Sequence, residues 1–429
     1  MPGRWIGLLL ALPLAACGPG DPGAQFVAIE LDPLRPGGER LTYLADGFGP
    51  EAALVEAAYT SGGPVAGRDV YYRDWLAVEA GGQPALGPSY DAASCAGCHL
   101  ETALQRGREA VMPMVARSLD AEAIERFGAQ VNPKQIGNAP PEARVVIEDT
   151  ESAFRYPDGA TRSLRSRTGW AVAPDGTRHA VGLRAAPLLF GWGLLEAVDA
   201  TMLGHFDDPG DRDGDGISGT MVRVAERCRG TAAIGRMGWK GSHATLDAQI
   251  AAALENDMGV KPENPCGERR RAEIDAAEFE RLVAYVRQLG VPDRRPQPEP
   301  AMARGQSLFG TTGCSSCHVP ALKTTASDTP ALADQLIWPY SDLMLHDMGP
   351  ALADPGNAPD AGEWRTPPLW GVGIAEKQLP QRGFLHDGRA RSIEEAILWH
   401  GGEAEASRDR FTDLAERDRN ALLGYVRSL

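Results

Sequence analysis

The stretches Ser94–His99, SCAGCH, and Gly313–His318, GCSSCH, repeat the pattern Cys-x-x-Cys-His twice in a chain of 429 residues. In this pattern two thiols can add across the vinyl groups of a haem, while the histidine binds its iron. Zinc would require four ligands at each site, and a dithiol redox pair would be expected in the cytosol rather than on an exported chain. Together with the export signal described below, the two motifs predict two covalently bound c-type haems.

The predicted anchors and iron ligands are, for haem 1, Cys95, Cys98 and His99 and, for haem 2, Cys314, Cys317 and His318. The sixth iron ligand decides the chemistry, because a filled position favours electron transfer and an open one admits a substrate. For haem 1 the sequence leaves a vacant position and six candidate ligands open: Met112, Met114, His179, His205, His243 and Met258.

For haem 2 the first choice of sixth ligand is His400, at the end of a predicted helix. Ser392 and Glu395 have the spacing of a capping box at the start of this helix, and Gly401 follows its end. A histidine in the last turn is also favourable through the helix dipole alone. The alternative ligands are Met344, His346 and Met348.

The N-terminus is typical of an export signal. Arg4 precedes an apolar run, residues 6–16, that is too short to span a membrane as a mature helix. The run ends in LAAC, which resembles a lipobox, so residues 1–17 are expected to be a lipoprotein signal peptide with the lipid on Cys17. The alternative is an ordinary signal peptide with an incidental cysteine. Gly18 rather than Asp follows Cys17, which favours the outer membrane, and the expected location is the periplasmic face of a bacterial membrane or the periplasm.

The rest of the chain is predicted to be mainly α, with two cytochrome c-like haem domains in tandem. Residues 18–40 are expected to be a Gly/Pro-rich tether, followed by domains at 41–291 and 301–429. Each ends in an apolar helical pattern, LVAYVRQL at 282–289 and LLGYVRSL at 422–429. Helices are likewise predicted at 275–289, 392–400 and 414–429, and insertions at roughly 140–264 enlarge the first domain.

Two further features of the first domain concern bound ions and cysteines. The segment DRDGDGISG, residues 211–219, resembles the first half of an EF-hand loop. It predicts a calcium site with the ligands Asp211, Asp213, Asp215 and the carbonyl of Ile217, completed by Asp207, Asp208 or Glu226; the alternative is a solvated acidic turn. Position twelve of the loop is Val222 rather than Glu, so the segment is not an EF-hand.

Cys228 and Cys266 are the two unassigned cysteines, and we expect a disulfide between them.

Nine motifs in order give the chain a family resemblance: SCAGCH, GLLEA, DRDGDGISG, GWK, DMG, GCSSCH, PYSDLMLHDMG, EWRTPPLWG and FLHDGRARSIEEAILWHGGEA. From about residue 41 to the C-terminus, the chain resembles the bacterial di-haem oxidoreductases, which are related to the di-haem cytochrome c peroxidases. The resemblance implies that peroxide meets the N-terminal haem and that the C-terminal haem receives electrons. It also places His400 where the peroxidases usually carry a Met ligand, a difference that would lower the potential of haem 2.

The resemblance also implies roles for several polar residues. Arg184 and Arg365 begin the segments RAAPL and RTPPL, which pack on haem in the family, and are expected to pair with propionates; the alternative for each is a surface salt bridge. The sequence contains no recognisable counterpart of the peroxidases' distal acid. Glu196 and Lys240 are therefore the polar residues proposed as catalytic.

The leading functional hypothesis is peroxide reduction with electrons relayed from haem 2 to haem 1. The alternatives are oxidation of thiols or another small reduced compound, and a non-enzymatic electron carrier. The net charge of -15 opposes a nucleic-acid partner. The expected partners are a periplasmic electron donor or acceptor and a small-molecule oxidant or reductant, with a lipid tether to the membrane.

The two motifs lead to the first prediction. After acid-acetone extraction, the purified protein should retain haem, and its mass should exceed that of the apoprotein by two haems. If the extracted protein retains one haem or none, it does not carry two haems bound through thioether bonds.

Overall fold

The computed structural model describes residues 42–43, 65–76, 86–99, 114–137, 141–226, 230–263, 272–295, 300–356 and 358–429. These residues all belong to one compact unit, Leu34–Leu429. The predicted signal peptide, the tether, Cys17, Met112, Cys228 and Cys266 lie outside the described residues. In the part of the chain that is described, no helix has the length and apolarity needed to cross a membrane.

The predicted mainly α fold is wrong, because helix accounts for 31% and strand for 22% of the structure, which makes it mixed α/β. The described α-helices are Val65–Tyr72, Cys95–Cys98, Ala121–Phe127, Trp192–Glu196, Ala200–Leu203, Leu246–Asp257, Ala276–Arg287, Ala301–Thr311, Val372–Gln378, Ile393–Leu398, Glu405–Thr412 and Glu416–Arg427. Short two-stranded pairs join Thr42–Tyr43 to Val291–Pro292, Ser89–Tyr90 to Lys134–Gln135, Arg223–Ala225 to Ala232–Ile234, Leu322–Lys323 to Leu336–Ile337 and Leu345–Asp347 to Glu363–Arg365.

The largest sheet has five antiparallel strands, in the spatial order Gln130–Val131, Met114–Ser118, Arg178–Ala185, Thr161–Val172 and Arg144–Arg155. Its last two strands form a long hairpin, here called the arm, with twelve residue pairs in register. Most side chains of Arg144–Arg155 are exposed, so the strand lacks the alternating apolar pattern that identifies a half-buried strand. The turn Pro157-Asp158-Gly159 joins the two strands of the arm, and the turn Pro174-Asp175-Gly176 joins the arm to the strand Arg178–Ala185. Both turns have the residues typical of a tight turn.

The rest of the fold contains two similar pairs of crossing helices. Val65–Tyr72 packs on Ala276–Arg287, and Ala301–Thr311 packs on Glu416–Arg427. A Cβ atom at Gly305 would lie 2.3 Å from the carbonyl oxygen of Ala421, so the absence of a side chain allows this close approach. The helices predicted at 275–289 and 414–429 are confirmed, although each is shorter than predicted.

Each crossing is completed by a further helix that approaches its last turn. A Cβ atom at Gly193 or Gly373 would lie about 2 Å from the carbonyl oxygen of Arg287 or Arg427, respectively. The same two arginines form ion pairs, Arg287 with Glu196 at 2.7 Å and Arg427 with Glu376 at 2.5 Å. The two haem motifs therefore lie within two copies of one helical arrangement.

The close crossing at Gly305 leads to the second prediction. Gly305→Ala should lower the free energy of unfolding by about 1–3 kcal/mol, because the added methyl group overlaps backbone atoms. Gly310→Ala, in the same helix but with open space at its Cβ position, should instead raise it by about 0.5–1 kcal/mol. Denaturant unfolding measures both, and equal effects would contradict the crossing.

Candidate functional site

A cavity that opens to solvent lies beside the second motif. Cys314, Cys317 and His318 line it on one side, and His400 lines it from the C-terminal helices. Most of the remaining lining is aromatic or aliphatic, including Phe309, Trp370 and Ile397. An apolar cavity with a few converging polar groups is the usual form of a cofactor site.

The backbone fixes the tautomer of His318. Its Nδ1 lies 2.9 Å from the carbonyl oxygen of Tyr340, so Nδ1 carries the proton and donates it. Tyr340 adopts a left-handed φ of 54°, a costly conformation for a bulky residue that places its carbonyl here. Burial lowers the pKa of His318 to about 4. The result is a neutral imidazole whose Nε2 lone pair is free to bind a metal.

His400 has the same arrangement in the same cavity. Its Nδ1 donates to the carbonyl oxygen of Ala396 at 2.7 Å, and burial lowers its pKa. The helix that leads to it is confirmed, with bounds Ile393–Leu398, and the Ser392 side chain accepts from the backbone N–H of Glu395. Only half of the predicted capping box forms, because the Glu395 carboxylate accepts from Arg391 instead.

The alternative ligands of haem 2 are placed differently. Met348 also lines the cavity. His346 contacts Asp342 through Nε2 at 2.9 Å and Glu403 through Nδ1 at 2.7 Å. Both nitrogens of His346 therefore have carboxylate partners, which argues against iron ligation. Met344 is fully buried in an apolar cluster and is not among the residues that line the cavity.

Sequence reasoning missed the network around His346. Burial opposes its charge, but hydrogen bonds to Asp342, Cys317 and Glu403 raise the pKa of His346 to about 12. Glu403 also accepts from the hydroxyl and backbone N–H of Ser218, which lies within the predicted calcium loop, residues 211–219. From the motif LMLHDMG, His346 was predicted only as an alternative iron ligand and not as the centre of a hydrogen-bond network.

The first motif shares the key feature of the second. Nδ1 of His99 lies 3.0 Å from the carbonyl oxygen of Pro187, and burial lowers the pKa of His99. Among the candidate sixth ligands, Met258 is buried in the cluster that contains Ala96 of the motif. His205 is exposed, and His179 is buried against Phe127. The described residues do not select one ligand for this haem.

One buried arginine, Arg365, and one half-buried arginine, Arg382, line the cavity, and neither has a carboxylate partner among the described residues. Within the described ranges, Arg365 donates to the carbonyl oxygens of Gly238 and Thr366, and Arg382 donates to that of Ala186. Burial lowers the pKa of each to about 10. A buried cation requires a negative counter-charge, and haem propionates would provide it. The cavity therefore fits a haem, and Arg382 joins the predicted Arg365 as a candidate propionate partner.

The remaining predicted polar residues do not line the cavity themselves, although Arg184 and Lys240 both lie over the ring of Trp364, which does. Arg184 forms two hydrogen bonds with the carboxylate of Asp354, at 2.7 and 2.5 Å. Glu196 pairs with Arg287, as described above, and also accepts from the backbone N–H of Leu246. Lys240 donates to the carbonyl oxygen of Asp360, and burial lowers its pKa to about 8. None of the three lines the cavity, so they connect parts of the fold in this structure.

The predicted calcium loop brings its carboxylates together. Oxygens of Asp211, Asp213 and Asp215 lie within 4.8 Å of one another. Burial and the neighbouring carboxylates raise the pKa of Asp215. Of the proposed additional ligands, Asp208 pairs with Arg212 at 2.8 Å, and the Glu226 carboxylate accepts from the Thr231 hydroxyl. Calcium at this loop stays a prediction.

Comparison with known proteins gives one match. The model of a family described as "Di-haem oxidoreductase, putative peroxidase" matches residues 266–429. No curated protein and no solved structure matches the chain. Over residues 266–429, which are less than half of the chain, the match supports the family predicted from the nine motifs and, through its name, the use of haem by an oxidoreductase.

The third prediction concerns the loop. Calcium at one hundred times its dissociation constant should stabilise the folded protein by about 2.7 kcal/mol, so chelation should lower the melting temperature. Asp213→Asn should abolish this response, whereas Asp175→Asn, in an exposed turn of the sheet, should retain it. If chelation leaves the melting temperature and the haem spectrum unchanged, the loop is only a turn.

Proposed function

We propose that this chain, whose residues 266–429 match the di-haem oxidoreductase family, is an exported di-haem c-type cytochrome that reduces peroxide. One observation carries the proposal. His318 and His400 line a single cavity, and each commits Nδ1 to a backbone carbonyl, so that both Nε2 atoms are free for iron. A haem held there would supply one-electron transfer.

His318 and His400 would both hold the iron of haem 2, and an iron held by two histidines suits a relay rather than a substrate site. Two neutral imidazoles favour the oxidised iron more than a histidine and a thioether do. Arg365 and Arg382 would hold the propionates, and the apolar lining would exclude water. In this proposal Cys95, Cys98 and His99 hold the haem at which peroxide is reduced.

The proposal places the protein in the periplasm, attached by lipid at Cys17. The oxidising compartment suits thioether formation and the expected disulfide between Cys228 and Cys266. The net charge of -15 suits a basic electron-transfer partner. Calcium at the 211–219 loop would complete the cofactor set.

Spectroscopy and a steady-state assay test this function directly. The holoprotein should consume hydrogen peroxide with a reduced c-type cytochrome or dye as donor, and cyanide should perturb one haem only. Turnover of thiols without turnover of peroxide would replace the proposal with thiol oxidation. If neither haem responds to cyanide or peroxide, the protein is an electron carrier.

The fourth prediction tests the sixth ligand. His400→Met should raise the haem 2 potential by on the order of 0.1 V and introduce the near-infrared band of a Met-ligated ferric haem. His400→Ala should admit cyanide at haem 2. Met348→Leu, the matched control in the same cavity, should leave the potential unchanged. The opposite pattern, with an effect of Met348→Leu alone, would assign Met348 as the ligand.

A further inference from the structure

The arm has an edge that the sheet leaves open. Along Thr161–Val172, only residues 169–172 pair with the neighbouring strand Arg178–Ala185. Residues 161–168 therefore have no strand partner on that side within the described part of the sheet. Unpaired edges of this kind require cover, and here the cover is the segment that leads to His400.

Two arginines of the arm hold the start of this segment by its backbone. The Arg165 guanidinium donates to the carbonyl oxygens of Gly388 and Arg389, both at 2.9 Å. Arg167 donates to those of Asp387 and Gly388. Its other nitrogens bind Asp149 on the opposite strand of the arm, which keeps the Arg167 side chain extended towards the segment.

Glu395 joins the free edge to the helix itself. Its carboxylate is buried, with 5% of the residue exposed. It accepts from the backbone N–H of Arg165 at 2.6 Å and from the backbone N–H and guanidinium of Arg391 at 2.8 and 2.9 Å. The helix Ile393–Leu398 is thus attached through a charged acceptor to a strand more than two hundred residues away.

The tip of the arm attaches the same helix at a second point. The carboxylate of Glu394 accepts from the Tyr156 hydroxyl and from Arg162, at 2.9 Å in each case. Tyr156 is itself buried, with the guanidinium of Arg419 4.1 Å from its ring centre. Arg419 and Asp158 form an ion pair that fixes the turn of the arm on the C-terminal helix.

We propose that the arm is a clamp that sets the position of His400, with Glu395 as its principal positioning residue. Glu395 lies five residues before His400, and the intervening helix transmits any displacement directly to the imidazole. The inference rests on the proposed function, because it takes His400 to be the sixth ligand of haem 2. It assigns a role to the β insertion that family membership does not imply.

The experiment compares Glu395→Gln and Tyr156→Phe holoproteins with the wild type. Cyanide or imidazole binding to ferric haem 2 should become roughly tenfold more favourable in Glu395→Gln, the factor that corresponds to loss of one charge-assisted hydrogen bond. Tyr156→Phe removes only a hydroxyl and should give a smaller shift in the same direction. Glu148→Gln is the matched control, since Glu148 bonds to Arg178 and Trp170 within the sheet.

The His400→Ala variant separates failure of the clamp from failure of the proposed function. If it changes haem 2 while Glu395→Gln and Tyr156→Phe match the control in ligand binding and haem 2 potential, the clamp is refuted and the ligand assignment stands. If His400→Ala itself leaves haem 2 unchanged, the proposed ligation is refuted. A loss of melting temperature in Glu395→Gln without a change at haem 2 would show a structural role only.

Discussion

A hydrogen bond from Nδ1 to a backbone carbonyl recurs at the three histidines that are proposed to bind haem iron. Tyr340 accepts from His318, Ala396 from His400 and Pro187 from His99. The bond fixes the tautomer and the ring plane together, so Nε2 is left as the only nitrogen available to iron. Burial lowers the pKa of each imidazole, and a carbonyl acceptor opposes this less than a charged carboxylate would.

The charged side chains that line the cavity are different residues from the histidines proposed to bind iron. Arg365, Arg382 and Arg408 line the cavity beside the apolar side chains, and the carboxylate of Glu403 lines it too. The acidic neighbours that are present, Asp342 and Glu403, are held by His346 on both sides. The cavity thus retains net positive charge for a group that carries propionates, although the surface as a whole is negative.

The parts of the site within a few residues of one another were predictable from sequence. The two motifs, the helix leading to His400 and the terminal helix pattern all depend on local spacing, which is visible in one dimension. The acceptors Tyr340 and Pro187 were not predictable, because each lies 22 or more residues from its histidine. The arm was missed because its exposed polar strands lack a hydrophobic period, and its many backbone hydrogen bonds leave no trace in the pattern of side chains.

The two helical arrangements are alike, yet their surroundings differ. Both use a glycine at the helix crossing and an Arg–Glu pair at its end. The inserted sheet extends from the first arrangement but covers the second, since its free edge binds the segment 387–395. In the proposed clamp, an element added to one half would therefore constrain the haem site of the other. Such a constraint would keep the two ligands of haem 2 fixed without affecting the ligands of haem 1. The two haems must differ in this way if haem 2 is to relay electrons while haem 1 binds the substrate.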